Sequence, residues 1–157
     1  MSLKAAFCKL MFLVFLMPPQ IGSSAEFPPG VPGVIFTAEE IGSMLKAMRN
    51  PDFDGPFWTP SVEQVFAFER DLGSFARTDS TFSRRIKTHL ILYKRQYFGC
   101  IANGVQTLFV NFFCEQYWKY NDDWRRKVVV SRNYKGDCFF MIRYNPETRE
   151  FFDLLTR

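Results

Sequence analysis

The dipeptide Asn103-Gly104 constrains this chain more than any other feature, because a two-residue hairpin turn demands a left-handed backbone that asparagine and glycine tolerate best. β-rich runs flank it, "KRQYFGCIA" before and "VQTLFVNFF" after. Such a turn fixes the register: Ala102 faces Val105, Phe98 faces Phe109, and Tyr97 faces Val110. Because strand side chains alternate, Tyr93, Arg95, Tyr97, Val110 and Phe112 fall on one face, together with Cys114 where the strand continues. Phe98, Cys100 and Phe109 take the other face.

The first strand is expected to begin near Ile86, which places His89 at its start. Beyond the hairpin, "WRRKVVVS" is expected to supply a third strand, "CFFMIRY" a fourth and "REFFDLL" a fifth. The turn "NPET" brings Arg149 to a position where glycine is most comfortable, which predicts either strain or another loop form.

Upstream of Ile86 the period changes to that of helices. In "FTAEEIGSMLKAM", Thr37 and Glu40 form a capping box, Phe36 can staple against Ile41, and Ile41, Met44, Leu45 and Met48 make one apolar face. The helix is expected from Ala38 to about Arg49. A second helix is expected with Thr59 as its cap, Pro60 in its first turn, and Val62, Val65, Phe68, Leu72 and Phe75 on its core face. "RTDSTFSRR" reads as a polar connection. The expected fold is α+β, two N-terminal helices followed by a four- or five-stranded antiparallel meander, with the helices on one face of the sheet. A curved sheet around one long helix, as in cystatin-like folds, is the preferred picture.

The N-terminus points to export. "MSLKAAFCKLMFLVFLMPPQIGSSAEF" has basic Lys4 and Lys9, an apolar run from Leu10 to Met17, a break at Pro18 and Pro19, and small residues at Ser23 and Ala25. Residues 1–25 are therefore expected to be a signal peptide cleaved before Glu26, and the apolar run is shorter than the roughly 20 residues of a membrane span. Residues 26–36, rich in proline and glycine, are expected to be an extended leader, and 37–157 a single domain. Losing Lys4 and Lys9 lowers the formal charge from +4 to about +2. That balance, with export, argues against nucleic acid, although "KRQYFGCI" has the basic-aromatic flavour of an RNA-binding strand. The chain contains 19 Phe, a supply that suits a ring-filled sheet core.

Metal and cofactor motifs are thin. Asp52, Asp54 and Gly55 match the opening of a calcium loop, but the closing glutamate is missing, so a solvated turn is expected. The cysteines are too scattered and the histidine too solitary for zinc. No glycine-rich phosphate loop and no nucleophile elbow appears.

Taken together, "RQYFG", "NG", "VNFFC", "VVV", "GDCFF" and "YNPET" resemble a set of small exported bacterial proteins of unknown function, across roughly Trp58 to Leu155. Lys135 and Arg149 stand where those proteins often carry glycine. The resemblance implies an exported α+β domain and carries no activity.

After cleavage the chain keeps Cys100, Cys114 and Cys138, an odd number for an oxidising compartment. Cys114 ends one strand and Cys138 begins another, so a bridge between them is expected, leaving Cys100 as a small buried hydrophobe. Closing a loop of about 25 residues stabilises a fold by about 3 to 4 kcal/mol in the chain-entropy model. The alternative is a cysteine-dependent enzyme or thiol-exchange protein using Cys114 or Cys138, with His89 as base and Asp137 as acid. The favoured expectation is a non-enzymatic binding module that needs no cofactor. Its candidate contact residues are Tyr117, Trp118, Tyr120, Trp124 and Arg125, in the loop the bridge closes. An envelope protein or a glycan is the expected partner, and a homodimer through an exposed strand face is a further possibility.

Overall fold

The structure, a computed structural model, describes residues 33–48, 55–119, 122–129 and 137–156. The expected signal peptide, most of the leader, the Asp52 and Asp54 turn, Tyr120, and Val130 and Ser131 of "VVVS" lie outside the described residues.

A mixed α+β fold is built on one six-stranded, mostly antiparallel sheet. In chain order the elements are β1 (Gly33–Ile35), α1 (Ala38–Met48), β2 (Phe57–Trp58), α2 (Val62–Thr78), α3 (Arg84–His89), a 3₁₀ turn (Leu90–Leu92), β3 (Lys94–Ala102), β4 (Val105–Phe113), α4 (Glu115–Trp118), a second 3₁₀ turn (Asp122–Arg125), β5 (Phe139–Asn145) and β6 (Glu150–Thr156). The expected order of helices before strands is therefore corrected, since β1 and β2 precede and separate the first two helices. Together they cover the outer edge of β3: β1 runs parallel to Arg95–Tyr97, and β2 antiparallel to Gly99 and Cys100.

The hairpin forms in the register its turn dictates, with Ala102 opposite Val105 and Tyr97 opposite Val110, and both Asn103 and Gly104 are left-handed. β5 then pairs directly with β4, and β6 with β5. The expected third strand does not form among the described residues of "WRRKVVV". They run as a 3₁₀ turn and an irregular segment held by sheet side chains instead of a backbone ladder. The Gln96 amide donates to the Trp124 carbonyl (2.5 Å) and the Lys127 carbonyl (2.7 Å), and its oxygen accepts from Val129 N–H (2.8 Å). Asn111 donates to the Val129 carbonyl (3.0 Å).

Caps explain the helix limits. The Thr37 and Glu40 capping box forms as expected, with Thr37 N–H donating to Glu40 (2.8 Å). The cap of α2 is Ser61, not Thr59: Ser61 and Gln64 make the box, while the Thr59 hydroxyl accepts from Ala38 N–H at the start of α1 (2.9 Å). Thr59 thus joins two helix starts.

Helices lie on both faces of the sheet, which corrects the one-face expectation. Val65, Phe68, Leu72, Phe82 and Ile86 of the α2–α3 layer pack with Tyr97, Val110, Phe112 and Phe140. On the opposite face Ile41 and Leu45 of α1 pack with Phe98, Cys100, Phe109, Phe113 and Trp124. Two stacked ring pairs, Phe112 on Phe140 (4.5 Å) and Phe75 on Phe151 (4.1 Å), sit on the α2 side.

Candidate functional site

The cysteine expectation holds: Cys114 and Cys138 are bridged, with Cα atoms 4.9 Å apart, and the Cys114 amide donates to the Cys138 carbonyl (2.8 Å). The bridge thus continues the β4–β5 ladder by one rung. Cys100 is free and buried, and burial pushes its thiol pKa up, which keeps it protonated and unreactive.

The loop residues separate on inspection. Trp124 is only 5% exposed, its ring edge-on to Phe113 at 5.6 Å, with the Arg125 guanidinium 4.7 Å above it on the solvent side. Tyr117 is half-buried against the same phenylalanine at 5.5 Å, while Arg125 is exposed. Trp118 closes α4, and Tyr120 lies outside the described residues. The structure brings Tyr117 and Trp124 together as packing for Phe113, and Arg125 as a lid on the indole.

A more conspicuous surface lies on the α3 side. Ser83 caps α3 by accepting from Ile86 N–H (3.2 Å), and Ile86 is the residue this short helix buries. The other residues of α3 include Arg84, Arg85, Lys87 and His89, with no acid in its first turn. The helix then tightens into the 3₁₀ turn. At three residues per turn, three successive apolar side chains point in three directions, so they cannot all reach the core. Leu90 is half-buried, and Ile91 and Leu92 are 70% and 59% exposed. Phe66 of α2, 42% exposed, adds to this surface.

Arg95 fixes the turn. Its guanidinium donates to the carbonyls of Tyr93 (2.7 Å) and Leu90 (3.0 Å), pairs with Glu69 of α2 (2.9 Å), and lies over the Phe112 ring. Glu69 also accepts from the Tyr97 hydroxyl (2.6 Å). Burial raises the Glu69 pKa, opposed by the Arg95 charge and the Tyr97 hydrogen bond. This buried pair anchors α2 to the sheet, and since β3 starts only at Lys94, His89 ends a helix and does not begin a strand as expected.

Clefts flank the turn. The one between α2 and α3, about 650 Å³, is lined by Phe66, Glu69, Arg70, Lys87, Ile91 and Arg95 among others. The one between α3 and α4, about 610 Å³, is lined by Arg85, His89, Tyr93, Cys114, Gln116 and Lys119 among others. His89 and Cys114, separated by two strands in sequence, therefore meet at one cleft. Asp137 approaches the same corner, its carbonyl accepting from the Tyr93 hydroxyl (2.6 Å).

Among the described residues no cluster of His, Cys, Asp or Glu is placed to hold a metal, and no helix is long and apolar enough to cross a membrane. Comparison of the chain with protein-family models, curated proteins and solved structures gives no match. The exposed Ile91 and Leu92 escaped the sequence reading because "LIL" read as part of the first long strand. The signal that marks them is three consecutive apolar residues without alternation, directly after the basic run "RRIKTH".

Proposed function

We propose that the protein is an exported, non-enzymatic binding module that docks an acidic envelope protein on the ridge formed by Ile91, Leu92 and Phe66. The observation that carries this reading is the exposure of Ile91 and Leu92, adjacent aliphatic side chains held out by a turn that Arg95 locks in place. Charge sets the partner's chemistry. Glu69 is neutralised internally by Arg95, so the rim of the cleft beside the ridge is Lys87 together with Arg70, an exposed side chain 3.6 Å from the Asp71 carboxylate. An apolar spot ringed by carboxylates is the matching surface.

Export is supported by the Cys114–Cys138 bridge, since disulfides persist in oxidising compartments. The leader at 1–25 and the resemblance to small exported proteins point the same way. A cystatin-like reading of the fold draws support from α2 lying across the β3–β6 meander, with β1, β2 and α1 as additions to it. The cysteine-dependent alternative needs a thiolate, and both candidate sulfurs are engaged with each other. A glycan site at the loop loses its central ring to the core with Trp124.

The test compares wild type, Ile91→Asp and Lys87→Glu for retention of envelope proteins at two salt concentrations. Retention of one acidic protein by wild type, weakened by salt and lost with either variant, supports the proposal. Equal retention by all three, self-association alone, or binding to phosphatidylglycerol vesicles instead of protein would overturn it.

A further inference from the structure

The cleft between α3 and α4 lies on the other flank of the turn and has a different chemistry from the ridge. Arg85 comes from α3 and Lys119 from the end of α4, and among the described residues neither forms an ion pair. His89 is oriented by its own helix. Its Nδ1 lies 3.1 Å from the Arg85 carbonyl and 2.8 Å from the Thr88 hydroxyl, whose own proton goes to the carbonyls of Arg84 and Arg85. Nδ1 therefore carries a hydrogen, and Nε2 is the ring nitrogen left to meet a ligand. Leu92, Tyr93 and Cys114 give the wall an apolar stretch, and Gln116 is also in the lining. Tyr93 is held in place by donating to the Asp137 carbonyl, and burial raises its pKa, so it stays neutral.

We infer that this cleft binds a ligand bearing one carboxylate on a small apolar body, with Arg85 and Lys119 receiving the carboxylate. The charge count selects a single negative charge. The two cations of the lining are partly offset by Glu115 in the same lining, and the Asp137 charge beside Tyr93 offsets them further, which disfavours a dianion such as phosphate. Arg85 supplies the planar fork that matches a carboxylate, and Lys119 adds a point charge from the facing element. His89 Nε2 meets a polar group neighbouring the carboxylate. A free organic acid and the C-terminus of a peptide share this chemistry.

The experiment titrates the full mature chain, labelled for amide NMR, with hexanoate, acetyl-Ala-Ala, its C-terminal amide, and inorganic phosphate. Saturable shifts at Gln116, Lys119 and His89 with either carboxylate are expected, together with about tenfold weaker binding in Arg85→Gln and Lys119→Gln and unchanged binding in Arg84→Gln. Preference for hexanoate assigns a free acid, and preference for the peptide acid over its amide assigns a C-terminus. The inference is overturned by absent or non-saturable shifts, by phosphate binding as tightly as the carboxylates, or by equal loss in Arg84→Gln. All three variants replace exposed side chains, so wild-type melting temperatures are expected.

Discussion

Arg149 shows a single residue working against its own backbone. It sits at φ 62°, where a side chain crowds the backbone and glycine does not, yet it is the residue that closes the last turn onto α2. Its guanidinium donates to Asp71 through Nη2 (2.5 Å) and Nε (2.9 Å), and Tyr144 donates to the same carboxylate (3.0 Å). Arg149→Ala keeps the strain and loses the contacts, whereas Arg149→Gly loses the contacts and relieves the strain. The glycine variant is therefore expected to melt roughly 4 °C above the alanine variant by calorimetry. Asp71 carries the pH dependence of this corner. The Arg149 hydrogen bonds hold its carboxyl below the ordinary value of 3.8, against the cost of burial and with help from Tyr144 and the nearby arginine charges. Because the folded value lies below the unfolded one, the contact stabilises the fold above pH 3.8 and is lost as pH falls through the folded value. Asp71→Asn should lower the melting temperature at pH 7 and by progressively less as the solution is acidified below pH 3.8. A deficit that stays constant down to pH 2 would contradict this assignment.

At the scale of elements, the edge of β3 is closed by a close approach that only glycine permits. Trp58 of β2 crosses Gly99, and a Cβ at that position would meet the Trp58 carbonyl oxygen at 2.6 Å and the indole closer still. Gly99→Ala should cost about 1 to 3 kcal/mol in chemical denaturation by forcing β2 away from the sheet. The sequence made the hairpin legible because turn and alternation agree there, and it made α1 legible through the Thr37–Glu40 box. It misplaced the cap of α2 because Thr59, Pro60 and Ser61 offer competing starts, and the contact that removes Thr59 from the competition comes from Ala38, 21 residues away. "VVV" carried full strand propensity, yet Gln96 and Asn111 took the backbone groups of Val129. No pattern local to either segment announces that long-range satisfaction. The bridge was legible from strand ends, whereas the ridge was not, because its exposure depends on how Arg95 draws in the Leu90 carbonyl.

Across the whole molecule, one side of the sheet is sealed by α1 and the Trp124 segment, and the other by α2 and α3. The surface that remains unusual is the turn projecting between the two clefts, where apolar exposure and a cationic rim coincide. Its rigidity comes from the interior: the Arg95–Glu69 pair, the Tyr97 hydroxyl and the Phe112 ring hold the turn from beneath. A ridge held this way meets a partner preorganised, which lowers the ordering cost of binding. The docking claim is tested most directly by a photo-crosslinking residue placed at position 91, with the same residue at Val105 on the exposed hairpin tip as control, in cells exporting the full chain. The account predicts an adduct with one acidic exported protein from position 91, abolished by Lys87→Glu, and no such adduct from position 105. Adducts with lipid or with a second copy of this chain, or the same adducts from both positions, would contradict it.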